Sequence, residues 1–362
     1  MRTTHSYQTL HSKITQQNMI KKSICYQSVD GDIIDCVDIY KQPAFDHPLL
    51  YNHTIQRRPS AYPNGVEAET TEKKIHQPWH LNGRCPEGTV PIRRTQKSDL
   101  MRAISLKNFG KKYPEGIRYS QIVDDVRNDD DVGRGHEHAV VTTNEDKYFG
   151  GKADIGVWNP RVYGKDFSLA QIWIVKKKDS TRSKLDGWTT GCYNLECSGF
   201  VQVSSKYVIG GAISPLSVYG GHQFHITFNI FQDVETGNWW LQQLNTLLGY
   251  WPGSLDPKFA GGADYVEYGG EIVDSGVAYG TGGPHTSTEM GSGHFPGEGE
   301  GKAAAFSKLQ VMDEDDSGFK SPQDLTTYSR MPYCYDISLR KTTSNWGVFF
   351  FYGGPGRNQD CP

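Results

Sequence analysis

The stretch Phe224-His225-Ile226-Thr227-Phe228-Asn229-Ile230 alternates apolar and polar residues at a strict period of two. A β-strand with one buried face turns that pattern into structure, because successive side chains point to opposite sides of the sheet. Residues 153–158 alternate in the same way, and residues 167–175 form a continuous apolar run of strand length. Glu235-Thr236-Gly237-Asn238 reads as a hairpin turn leading into Trp239-Trp240-Leu241. Residues 263–274, 303–312 and 345–352 complete a set of short strands. Helical periodicity is weak beyond residue 130, no fixed repeat recurs, and the 40 glycines supply turns throughout. The expected fold class is all-β, an antiparallel β-sandwich of two sheets.

The first third reads differently. Residues 1–24 are a polar leader, expected to be unstructured, without the apolar core of about 7–15 residues that marks a signal peptide. Residues 30–95 are loop-rich and carry the run Gln42-Pro43-Ala44-Phe45-Asp46-His47-Pro48, and residues 97–113 are polar and weakly helical. Residues 123–131 hold five Asp in nine positions, and the domain boundary is placed there.

The net charge of -3 gives no reason to expect nucleic acid or an anionic membrane as partner. No apolar run reaches the roughly 18 residues of a membrane span. Seven cysteines, none in a C-x-x-C pair, suit three bridges and one leftover thiol in an oxidising compartment. Seven buried free thiols in a cytosolic chain are the alternative, and spacing does not decide connectivity. Asn52-His53-Thr54 is a glycosylation sequon that matters if the chain is exported.

Among residues that could carry chemistry, His136 and His138 lie two apart on one strand face, more often surface chemistry than part of a metal site. Residues 313–318 imitate a calcium loop but lack flanking helices, and no metal is expected there or elsewhere. The glycine-dense residues 282–301 match no phosphate-binding loop or dinucleotide fingerprint, so no cofactor is expected, and no Gly-x-Ser-x-Gly elbow occurs. Tyr268-Gly269-Gly270-Glu271-Ile272-Val273 remains. A carboxylate inside an apolar strand is costly to bury unless it is paired or titrates. Glycines beside it let another backbone approach closely. Glu271 reads either as a rim glutamate or as a catalytic one.

Several segments, in order, resemble the plant neprosin-type family of glutamic endopeptidases, which are made with an N-terminal activation domain. Residues 32–40 with Gln42–Pro48, then Trp79 and residues 85–94, are similar to the activation domain. Val157-Trp158-Asn159-Pro160, residues 167–173, Gly191-Cys192-Tyr193-Asn194-Leu195, Gly249-Tyr250-Trp251-Pro252, Gly269-Gly270-Glu271, residues 285–295 and residues 352–358 are similar to the catalytic domain. The resemblance implies a leader over 1–24, an activation domain and linker over 25–125, and a β-sandwich catalytic domain over 126–362. It further implies secretion to an extracellular or vacuolar space, removal of the activation domain at acid pH, and a peptide or protein substrate cut near proline. A monomer is expected. The expected bridges are Cys36–Cys85, Cys192–Cys197 and Cys334–Cys361, with Cys25 free.

The family's activity rests on two glutamates, of which Glu271 matches one. The other lies in an Ile-Glu-Ala-Gly-Trp stretch, and the corresponding interval here, residues 174–190, contains no Glu. It is shorter than in relatives by roughly two dozen residues, about two or three strands. Such a loss would leave a gap and unpaired edges in a sheet. Glu267 shares a strand face with Glu271 but sits roughly 13 Å along it. Glu289 is the candidate substitute acid, and Asp186 lies in the shortened interval. Trp240, Tyr250, Trp251 and Tyr268 are candidate walls for a proline ring, or core residues. A missed coding segment explains both the short interval and the atypical leader, whereas a genuine loss of activity explains only the first. Either way the chain as written is expected to be inactive. A β-sandwich that binds peptide or glycan without catalysis is the alternative.

Overall fold

The computed structural model describes residues 24–64, 66, 76–102, 109–110, 135–178, 181–184, 192–278, 283–313, 318–341 and 345–362. Residues 1–23 of the 1–24 leader, the acidic stretch 123–131, Asp186 and the centre of the calcium-like turn lie outside the described residues, while Ile24 already begins a strand.

An N-terminal three-stranded sheet comes first, with β1 (Ile24–Gln27), β2 (Ile33–Asp38) and β3 (Thr89–Arg93) in that order. The remaining strands are β4 (His136–Thr143), β5 (Tyr148–Gly156), β6 (Phe167–Lys178), β7 (Thr181–Lys184), β8 (Val201–Gln202), β9 (His225–Asp233), β10 (Asn238–Gln243), β11 (Thr246–Trp251), β12 (Tyr265–Val273), β13 (Ala304–Asp313), β14 (Leu325–Ser329), β15 (Asp336–Lys341) and β16 (Val348–Gly353). They form an eight-stranded antiparallel sheet, β15-β16-β13-β5-β9-β10-β11-β8, and a five-stranded one, β14-β4-β12-β6-β7. The chain is all-β, two large sheets preceded by a smaller N-terminal unit.

The period-two pattern of β9 becomes its two faces. Ile226, Phe228 and Ile230 enter the core between the sheets, with Ala153, Ile155 and Trp239 beside them. From the five-stranded sheet Ala139, Val141, Ile174, Val266, Tyr268 and Ile272 close the same core. Each large side chain removed from water there contributes roughly 1.5–3 kcal/mol.

The N-terminal unit does not fold away from the sandwich. Its small sheet is bridged by Cys36–Cys85 and packs on Trp79 and Val208. A strap, residues 42–64 and 66, lies on the outer face of the eight-stranded sheet. There Ala44, Leu50 and Val66 meet Val201, Phe231, Trp240, Tyr250 and Met312. The side chain of Gln42 acts as one more strand residue on the edge strand β8. Its Nε2 donates to the Gln202 carbonyl at 3.0 Å, and its Oε1 accepts from the Gln202 N–H at 2.7 Å. The Asp233 carboxylate accepts from Ser60 N–H, Ser60 Oγ and Gln56 Nε2 at 2.9, 3.0 and 2.7 Å.

All three expected disulfides are formed, with Cα separations of 5.4, 5.6 and 5.4 Å, inside the limit of about 7 Å. Cys25 is free. Asn52 sits in an exposed turn. The short interval after Trp173 leaves β6 covered on that edge over its last four residues. β6 runs on to Lys178 and turns back as β7, which pairs with it from Val175↔Lys184 to Lys178↔Thr181.

Candidate active site

Glu271 lies in β12, the central strand of the five-stranded sheet, between β4 and β6. Its direct neighbours are His138 on β4 and Leu169 on β6. Strand parity puts Glu271 on the outer face with Tyr265, Glu267, Gly269 and Val273, while Tyr268 and Ile272 face the core. Gly269 has to be glycine, since a Cβ there would lie 2.2 Å from the Ala139 carbonyl oxygen. A Cβ at Gly270 would lie 2.6 Å from Met290 Sδ on the other face. The glycine pair therefore lets β4 and the Met290 segment close in on both sides of the strand.

The Glu271 side chain is fully buried. A carboxylate there needs partners, and the diagonal neighbours supply them. His136 Nδ1 is 2.7 Å from Oε1, and Gln171 Nε2 donates to Oε2 at 2.9 Å. His138 Nε2 stands 3.6 Å from Oε1, and its ring is partly exposed beside Trp173. With the carboxylate ionised, it accepts only, so His136 donates through Nδ1–H. The arrangement fixes one carboxylate against one imidazole and one amide. It can hold a proton and pass it to a neighbouring group, one half of what amide hydrolysis demands.

Glu137, between the two histidines in sequence, points to the opposite side and pairs with His285 Nε2 at 2.8 Å. Burial opposes charging His285, but the Glu137 carboxylate and the Thr286 carbonyl outweigh it and raise its pKa. Asp166 ties the same end together, accepting from Ser275, Thr286 and Thr288.

Other candidates from the sequence are placed elsewhere. Glu289 is engaged by Arg161, through its backbone N–H at 2.9 Å, Nε at 2.6 Å and Nη2. Glu267 is buried on the outer face between Thr142 and Trp173. The aromatic-wall expectation is corrected. Tyr268 lies in the core with its hydroxyl on the Gln310 carbonyl, and its odd spacing from Glu271 already demanded the opposite face. Trp240 and Tyr250 sit on the other sheet, beneath the strap, and Trp251 packs against Phe200. The histidines, read as weak metal-ligand candidates, face Glu271 instead. Gln171 carried no role in the sequence reading. Its signal is positional, since it lies opposite Gly269, where no side chain blocks its reach to Glu271.

Two family models match the chain. The one described as Neprosin matches residues 180–355, and the one described as Neprosin activation peptide matches residues 25–142.

Proposed function

The chain belongs to the neprosin family, a peptidase-family protein with an activation peptide, and from that premise we propose that it is a secreted glutamic-endopeptidase-type protein, inactive as written. Residues 25–125 serve as activation domain and linker, and residues 126–362 as the catalytic-type domain. The intended substrate is a peptide bond near proline in an acidic medium, with Glu271 as the catalytic carboxylate.

The observation that carries this reading is the environment of Glu271, a buried carboxylate held by His136 and Gln171 on a strand between two others. Hydrolysis of an amide needs one group to activate water and another to protonate the leaving nitrogen, and two carboxyls in unlike surroundings divide those roles. Residues 174–190 hold no glutamate to take the second role. Losing one member of such a unit removes most of the rate.

The purified chain should be assayed on proline-containing peptides at about pH 4, where carboxyls populate both protonation states. A version restored by a Glu-bearing segment between Trp173 and Gly191 runs beside it. The chain as written should show no cleavage above background, and the restored one should regain it and lose it again with Glu271→Gln. Robust acid cleavage by the chain as written would overturn the inactivity. Restored cleavage that survives Glu271→Gln would remove Glu271 from the mechanism.

A further inference from the structure

Beside the strap's Val66, two adjoining cavities of about 250 and 430 Å³ on the outer face of the eight-stranded sheet share Asp154 and Lys308 as lining residues. The larger falls in the size range of small-molecule sites, roughly 300–1,000 Å³.

Three features stand out there. First, Lys308 interrupts β13 at a bulge with φ +52°, and Leu244, lining the same cavity, has φ +50°. Among the described residues only Asn194 joins them as a non-glycine at positive φ. Left-handed backbone of this kind is costly for side chains with a Cβ, and bulges re-aim side chains at binding sites. Second, Asn229 is buried and lines the cavity, and its Oδ1 has no hydrogen-bond partner. A buried polar atom left this way is rare. Third, Trp346 stands at the far end, edge-on to His225 at 6.2 Å.

We propose that this groove binds an oligosaccharide. Lys308 pairs with Asp154 at 2.8 Å, so a cation and an anion stand side by side at the cavity that the buried, unpartnered Asn229 oxygen also borders. A ligand that meets them must donate and accept within one small group, which is what a hydroxyl does. Trp346 gives a flat apolar wall for the C–H face of a sugar ring. An extended peptide is a poorer match, since peptides add to sheet edges through backbone pairing, and on a sheet face those groups are already used in the ladder. Burial lowers the pKa of His225, and nearby Lys308 lowers it further while Asp154 raises it, which keeps the imidazole neutral and able to donate and accept.

The test is titration of the full chain with cellotetraose and with tetragalacturonate, the second arm asking whether a uronate carboxylate uses Lys308. Saturable binding of either supports the proposal if Trp346→Ala weakens it by about tenfold or more. Lys308→Gly is the second variant. It relieves the left-handed strain, so it should raise the melting temperature while weakening the same saccharide. No binding by either tetrasaccharide overturns the proposal. So does binding that both variants leave unchanged, or capture of hexaproline when both saccharides fail.

Discussion

The outer faces of the two large sheets each bury a carboxylate, and they satisfy it in opposite ways. Glu271 on the five-stranded sheet is held by His136 and Gln171, side chains of the strands on either side. Asp233 on the eight-stranded sheet is held by Gln56 and Ser60, which belong to the strap. One carboxylate is intrinsic to the sandwich, and the other depends on the N-terminal unit staying in place. Removing the strap would leave the Glu271 bonds intact and strip Asp233 of those from Gln56 and Ser60, leaving it Thr236. It would also uncover Trp240 and Tyr250, so the segment is a structural layer of one sheet and not a plug over the Glu271 strand.

The comparison breaks first at the strap's apolar contact. Trp240→Ala should cost about 4 kcal/mol in chemical denaturation and open residues 42–64 to limited proteolysis. Equal resistance to protease would mean that the strap is held elsewhere. Next, His136→Ala should cost about 3 kcal/mol, because it takes the imidazole partner from a buried carboxylate, while Glu271→Gln should cost about 1 kcal/mol. Equal losses would show that the two do not act as a pair. Asp233→Asn is a smaller change, about 1–2 kcal/mol, and should release the strap without altering the Glu271 face. Hydrogen exchange on strap amides would read it, and no change there would sink the claim that Asp233 anchors the strap.

The smallest effects are those of pH, and they separate the two regions by sign. Burial pushes Asp233 up, but the Ser60 N–H and the Gln56, Thr236 and Ser60 side chains outweigh it, so its pKa is lowered. Its contribution is present above the usual value of 3.8 and lost as pH falls through the lower folded value. Burial lowers the pKa of His53, whose Nε2 is hydrogen-bonded to the Tyr250 hydroxyl at 2.8 Å. That contact weakens as pH falls below 6.5, where the released imidazole takes up its proton. His285 goes the other way. Its raised pKa makes the Glu137 contact strongest below 6.5 and weaker as pH rises through the folded value. Exchange measured from neutral to acid should therefore show the strap loosening while the 285–288 segment tightens. Loosening of both together would remove the distinction.

Much of this was legible in the sequence, for reasons of period. The alternation of residues 224–230 gave both faces of β9, and Gly269-Gly270-Glu271 marked a carboxylate with close neighbours. The partners of Glu271 were not legible, because His136 and Gln171 reach it along diagonals that exist only once the register of three strands is set. The assignment of Trp240 and Tyr250 to the wrong face has the same origin, since period tells which residues share a face and not which sheet carries it. Tyr268 is different, for its odd spacing from Glu271 was enough to exclude it. The β6–β7 hairpin was hidden because residues 176–184 are too polar to read as a buried strand, as suits an edge.

The strap also has a consequence in time. Its contacts are with residues made much later, since Gln42 and Gln202 are 160 positions apart, Gln56 and Asp233 177, and His53 and Tyr250 197. At synthesis rates of about 5–20 residues per second, the strap waits on the order of ten seconds or more for the sheet it covers. Through that interval Ala44, Leu50 and Val66 have no surface to settle on. The Cys36–Cys85 bridge, closed within the first hundred residues, gives the N-terminal unit a local fold in which to wait.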